Sequence, residues 1–227
     1  MLTLSTPIVK ISCMGHFTRP RAAKKPAKPY HHGDLRRALL DEALRTIRTQ
    51  GVEHLTLRTV GERLGVSRSA LYRHFADKEA LLATVGQEGF RTLRQALVDA
   101  WERNGRGRIG FAAMGRAYVQ FAVAHPSYYR VMFGGFMDST AKDDQFVAEA
   151  NAAFQVLVDA LVEQQKGGDI RRDDPVQMAR FVWAAVHGTA MLIIDGQVTE
   201  AAQREAFEQY SVERIYASIR QETLRSA

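Results

Sequence analysis

The chain has a single cysteine, Cys13, among 227 residues. No internal disulfide and no cysteine-clustered metal site can form, which fits a reducing, cytoplasmic setting. Residues 1–14 are too polar for a signal peptide and lack a small-residue cleavage site. Met14-Gly15 is an alternative start, which would leave Cys13 outside the protein. No apolar run approaches the roughly 20 residues needed to cross a bilayer, so a soluble chain with no membrane partner is expected. Alternation of apolar and polar residues at strand spacing is missing, as is any internal repeat. Catalytic spacing is missing too. His125, His187, Asp173 and Asp195 fall in no H-E-x-x-H, G-x-S-x-G or phosphate-cradling glycine pattern. Neither catalysis nor a metal or other cofactor is therefore expected. What remains is helical periodicity almost throughout, an all-α fold of about nine helices, in a chain long enough to bury a core unaided.

Negative charge is scarce in the first third. Residues 1–80 hold 15 Lys and Arg against 7 Asp and Glu, a net of +8, and the remainder nets −2 within the total of +6. The basic part is the one expected to meet nucleic acid. Residues 1–29 are rich in Pro and Lys without periodicity and read as a disordered basic arm. Its Arg19, Arg21, Lys24, Lys25 and Lys28 suit contacts with DNA phosphates or the minor groove, and equally a solubilising tail.

From Leu55 to Lys78 the sequence runs LTLRTVGERLGVSRSALYRHFADK. Leu57, Val60, Leu64, Val66 and Leu71 recur at helical spacing, interrupted at Gly65. Thr56 and Ser67 each stand where a hydroxyl oxygen can accept from the free amides of an opening helix. Gly65 supplies a positive φ between the two helices and Val66 turns inward, which makes a helix-turn-helix. In the second helix, from Arg68 to about Phe75, Leu71 and Phe75 face the core, leaving Arg68, Ser69, Tyr72, Arg73 and His74 outside. An arginine near a helix N-terminus can reach guanine O6 and N7, while hydroxyls bond phosphates or base edges. Lys78 opens the next helix and offers a further phosphate contact.

The run TLRTVGERLGVSRSALYRHFADKEALL resembles the DNA-binding domain of TetR-family transcriptional regulators, down to L-Y-x-H-F and the x-K-E-x-L-L that follows. The resemblance spans about Asp34 to Leu82. It implies a recognition helix in the major groove and a dimer on double-stranded DNA. By position it implies backbone contacts from Thr56 and Arg58, base-facing roles for Arg68, Ser69 and Ala70, and phosphate clamps at Tyr72, His74 and Lys78. Ser69 departs from the family pattern, which often has Gly there, so the bases read stay open.

Around this head the helices follow from caps and breakers. Asp34 caps a helix from Leu35 to Gln50, closed by Gly51, and Asp77 caps a long one to about Arg103. Gly86 and Gly89 inside the long helix imply close packing or a mild bend. Asn104–Arg108 is a loop, Ile109–Ala124 a helix, and Pro126 starts another in a segment dense in aromatics and methionine. Further helices are expected over 142–165, from Asp174-Pro175 to about Asp195, and from about Glu200 to Glu222. His125-Pro-Ser-Tyr-Tyr-Arg-Val-Met-Phe, with Trp183-x-x-x-His187-Gly188, resembles the C-terminal domain of a TetR subgroup named for its Trp-His-Gly signature, over most of 109–222. The organisation expected is a 1–29 arm, a 30–80 DNA-binding domain and an 81–227 effector-binding and dimerisation domain.

The resemblance implies a cavity among the middle helices and dimerisation through the last two. Phe111, Met114, Tyr118, Phe121, Tyr128, Met132, Phe154 and Trp183 are many large apolar groups for a small domain to pack without seams. They are expected to line a pocket for a mainly apolar small molecule. His187 is either a ligand contact there or a hydrogen-bonded core or interface histidine. Ala184, Gly188 and Met191 lie at i, i+4 and i+7, where glycine permits a close crossing. With Val212, Ile215, Tyr216 and Ile219 of the last helix they form the expected two-fold interface, the alternative being packing within the chain. The expectation is a one-component repressor that binds a palindromic operator as a homodimer and is released by an inducer. Activation, a DNA-binding dimer without an inducer, and an all-α enzyme remain as alternatives.

Overall fold

The computed structural model describes residues 35–137 and 143–221. The basic arm, Cys13, the Asp34 cap and Glu222 lie outside the described residues. Nine helices occur among the described residues: α1 (Leu35–Gln50), α2 (Leu57–Leu64), α3 (Arg68–Tyr72), α4 (Lys78–Arg103), α5 (Gly107–Ala124), α6 (Pro126–Phe133), α7 (Asp144–Gly167), α8 (Pro175–Ile194) and α9 (Ala201–Ile219). No strand accompanies them there, only an isolated antiparallel bridge between Ile170 and Arg220.

Local chemistry sets most helix starts. The Thr56 hydroxyl accepts from the Thr59 amide at 3.0 Å and Thr59 Oγ1 accepts from the Thr56 amide at 3.3 Å, a reciprocal capping box. Ser67, Asp77, Asp143 and Asp174 cap α3, α4, α7 and α8 through side-chain oxygens 2.7–3.2 Å from the amide three residues on. Each such cap stabilises its helix by about 1 kcal/mol. Gly65 closes α2 with φ 68°, the left-handed turn that the α2–α3 corner requires.

Four boundaries differ from expectation. α3 stops at Tyr72, not Phe75, because the Leu71 carbonyl takes both the His74 and Phe75 amides, and the tightened turn drives Phe75 into the core. α5 starts two residues early, at Gly107. α7 starts at Asp144, after its Asp143 cap. α9 stops at Ile219, whose carbonyl accepts from Arg171 at 3.0 Å instead of continuing the helix.

α4 is the axis of the molecule. Its Leu81, Leu82, Val85, Phe90, Leu93, Leu97 and Trp101 are buried, and it runs unbroken from the head into the helices behind it. A Cβ at Gly86 would overlap the Phe146 ring, and one at Gly89 would overlap Met132 Sδ, so α7 and α6 lie directly on the α4 backbone at these points. Within the head, buried Glu42 of α1 accepts from Arg45 at 2.7 Å and from Arg63 of α2 at 3.2 Å, joining the two helices through one carboxylate.

α8 corrects the expectation about apolar runs: by length and composition this 20-residue helix could cross a bilayer. Here Met178, Val182, Val186, Ala190 and Ile193 form its buried face, and it packs against α5, α7 and α9 within the bundle.

Candidate DNA interface and effector cavity

α3 presents Arg68, Ser69 and Tyr72 to solvent, with Arg73 and His74 exposed in the turn that follows. Thr56 and Arg58 are exposed at the start of α2. The surface is partly pre-ordered. The Arg68 guanidinium lies 5.5 Å from the Tyr72 ring centre, and Arg58 is held along α2 by Glu62 at 2.8 Å. The Ser67 hydroxyl caps α3 and shares a 3.1 Å hydrogen bond with Ser69 Oγ. Two residues stand apart from this surface. Ala70 is half-buried against the core, and Lys78 turns back so that Nζ donates to the Val52 carbonyl at 2.9 Å.

A cavity of about 370 Å³ opens among α4, α5, α6, α7 and α8, walled chiefly by Phe90, Tyr118, Phe133, Phe154 and Trp183. Beside it lies an apolar void of about 40 Å³, which shares Tyr118 and Leu157 with the cavity and is otherwise lined by residues such as Phe111, Met114 and Val212. Of the nine residues expected to contact a ligand, Tyr118, Phe154 and Trp183 line the cavity, and Phe111 and Met114 line only the void. Phe121, Tyr128, Met132 and His187 line neither. Phe121 packs on His125 with ring centres 5.2 Å apart, Met132 packs on Gly89, Tyr128 bonds Glu88, and His187 is held by tyrosines. Phe90, whose spacing in α4 marks it as core, also lines the cavity, as do Phe133, Asn151 and Arg180, for which the sequence carries little ligand signal.

One wall of the cavity is braced by a polar chain. Trp183 Nε1 donates to Tyr118 Oη at 3.0 Å, the Tyr118 and Tyr129 hydroxyls are 3.2 Å apart, and Tyr129 Oη is 2.6 Å from His187 Nδ1. A neutral His187 with its lone pair on Nδ1 satisfies the whole chain: Trp183 donates to Tyr118, Tyr118 to Tyr129, and Tyr129 to His187. Burial lowers the His187 pKa, which favours that neutral form. Burial also pushes the Tyr118 hydroxyl up to about 12 and raises that of Tyr129, so both stay protonated donors.

Residues 39–85 match the model of bacterial regulatory proteins of the tetR family, and residues 111–215 match the tetracyclin repressor-like C-terminal domain. The chain belongs to the tetR family. Its relatives include an uncharacterized HTH-type transcriptional regulator, YobS, of Bacillus subtilis (strain 168), 23% identical over 175 residues, 76% of this chain and 84% of YobS. Among solved structures, a protein of unknown function from Rhodococcus sp. RHA1 superposes with a TM-score of 0.76 at 35% identity, covering 86% of this chain and 100% of the other. The SmeT–triclosan complex shares the fold, with a TM-score of 0.60 and 20% identity over 82% of this chain and 92% of SmeT. The tetR family is one of transcription regulators, not enzymes.

Glu88 of α4 joins the head to the helices behind it. Its carboxylate accepts from Arg37 of α1 at 3.2 Å and from the Tyr128 hydroxyl of α6 at 2.8 Å.

The expected interface residues divide. Val212, Ile215, Tyr216 and Ile219 are buried within this chain, with Tyr216 against Phe111 at 5.7 Å, the packing within the chain that was the alternative expectation. Ala184, Gly188 and Met191 are not. Ala184 is exposed, Met191 is half-buried, and a Cβ at Gly188 would meet nothing within 4 Å.

Proposed function

We propose that this protein is a repressor that binds a palindromic operator as a homodimer and is released by a small, mainly apolar inducer. The observation that carries the reading is that one chain holds an exposed, arginine-bearing α3 and an aromatic cavity, joined by the unbroken α4. Thr56, Arg58, Ser67, Arg68, Ser69, Tyr72, Arg73 and His74 make the DNA face, with Arg68 reading a base and the others fixing register. Ala70 and Lys78 join it only after local rearrangement. Trp183, His187 and Gly188 support placement in the Trp-His-Gly subgroup, and the chain acts in the cytoplasm. The neighbour SmeT is seen in complex with triclosan. That favours small-molecule control for this cavity as well.

The dimer face is the outer side of α8, where Phe181, Ala184, Gly188 and Leu192 follow one another at helical spacing, together with Tyr210 of α9. Phe181 is 53% and Tyr210 58% exposed in the single chain, apolar surface that a second copy would cover. The dimer sets two α3 helices about 34–36 Å apart in successive major grooves. Ligand in the cavity favours a conformer in which that spacing is wrong, by its differential affinity for the two states.

The test of the reading is a pair of titrations. Arg68→Ala is expected to lose about 1–3 kcal/mol on the operator and little on a scrambled duplex. Equal loss on both would remove the base-reading role. Gly188→Arg is expected to halve the sedimenting mass. A folded variant that stays dimeric would place the interface elsewhere.

A further inference from the structure

We propose that the cavity takes an amphipathic monoanion, an apolar body bearing one carboxylate, with its charge seated on Arg180. The proposal rests on the reading of the cavity as the effector site and adds the chemical class of its ligand. Arg180 is the one charged side chain among the described residues lining the cavity. It has no ion pair or hydrogen bond among the described residues. Of the other arginines of the bundle, Arg91 and Arg94 pair with Glu149, and Arg106 pairs with Glu102 and Glu163.

The polar groups of the aromatic wall are already used. The Trp183 N–H is spent on Tyr118, whose hydroxyl is engaged with Tyr129 and His187. A neutral hydroxylic ligand therefore finds no free partner on that wall. What remains is the guanidinium of Arg180 and the amide of Asn151, neither of which has a partner among the described residues. A guanidinium fork matches a carboxylate in geometry as well as charge, and Arg180 presents one where it lines the cavity, exposed to solvent. The apolar remainder of the ligand lies among Phe90, Phe133, Phe154 and Trp183. Beyond Tyr118 and Leu157 the adjoining apolar void extends the surface available to it.

The test is calorimetric titration of the full chain with three probes of one chain length: decanoate, decan-1-ol and decyltrimethylammonium, each below its micellar concentration. Decanoate is expected to bind at least about tenfold tighter than decanol, and the cation weakest. Arg180→Gln should bring decanoate to within about twofold of decanol, and Arg180→Lys should retain part of the preference. Equal binding of acid and alcohol to the unaltered chain overturns the anion proposal and leaves the cavity as an effector site. Binding of none of the three overturns the cavity reading and the proposal with it. A decanoate preference that survives Arg180→Gln, in a variant with unchanged far-ultraviolet circular dichroism, overturns the seat on Arg180.

Discussion

Removing the Glu88 carboxylate should loosen the joint between head and cavity by an amount that the geometry allows to be worked out. Glu88 accepts a 2.8 Å hydrogen bond from Tyr128 and a 3.2 Å bond from Arg37. A hydrogen bond to a charged group contributes about 1.5–3 kcal/mol, and the 22% exposure of the Glu88 side chain argues for the lower end. Arg37 is half exposed, so its ion pair adds only a few tenths. Glu88→Ala should therefore cost about 2 kcal/mol in urea unfolding and lower Tm by about 4–8 °C in a chain of this size. In a double-mutant cycle with Tyr128→Phe the coupling should be about 1 kcal/mol. Additivity within about 0.3 kcal/mol would refute the idea that the two residues act as one joint. The joint also has an alkaline signature. The Tyr128 hydroxyl is pushed up to about 12, first by burial and then by Glu88, whereas an unfolded tyrosine ionises near about 10. Between these values the native state holds the extra proton, so this contribution is full below about pH 10 and is lost as pH rises through the window. Glu88→Ala should reduce that loss without abolishing it, because burial is the larger cause.

Other perturbations have distinct readouts. His187 has its pKa lowered by burial, so the native state resists its protonation. Its contribution should be constant above about pH 6.5 and fall as pH drops below that value, a slope that His187→Asn removes in pH-dependent melts. Tyr118→Phe strands the Trp183 N–H and should cost about 1–3 kcal/mol. Tyr129→Phe should cost less, since Tyr118 Oη already stands 3.0 Å from His187 Nδ1. Glu42→Ala removes the acceptor shared by Arg45 and Arg63, but both arginines reach water, so urea melts should show a loss of about 1–2 kcal/mol. Gly188→Ala, with open space around its Cβ, should stabilise an isolated chain by up to about 1 kcal/mol through helix propensity. If Gly188 lies at a dimer crossing, the same variant weakens the dimer in sedimentation.

The parts of the fold that were legible in the sequence are those decided within a few residues. Thr56, Ser67, Asp77 and Asp174 cap helices because a side-chain oxygen and an amide three residues on need nothing else, and Gly65 turns the corner by its own φ. The end of α3 was not legible, because Phe75 leaves the helix to reach a core built largely by distant residues. The exposed face of α3 was legible from Leu71 and Phe75 alone: once these face inward, Arg68, Ser69 and Tyr72 face out. The cavity was legible only in part. Phe154 and Phe121 look alike in sequence, yet α7 and α5 cross so that the first faces the cavity and the second packs on His125. Arg180 was passed over because a lone arginine on an apolar helix reads as solvated; its one signal was its place a single turn before Trp183. The periodicity of Val212, Ile215, Tyr216 and Ile219 marks an apolar face but carries no information on whether the same chain or a partner covers it.

Selection of duplexes from a random pool by the full chain tests the central claim most directly. A palindrome whose half-site centres lie about 10–10.5 base pairs, or a multiple of that, apart should be enriched, and Arg68→Ala should degrade one position in each half-site. A folded chain that enriches no sequence, or an Arg68→Ala variant that enriches the same palindrome unaltered, would contradict it.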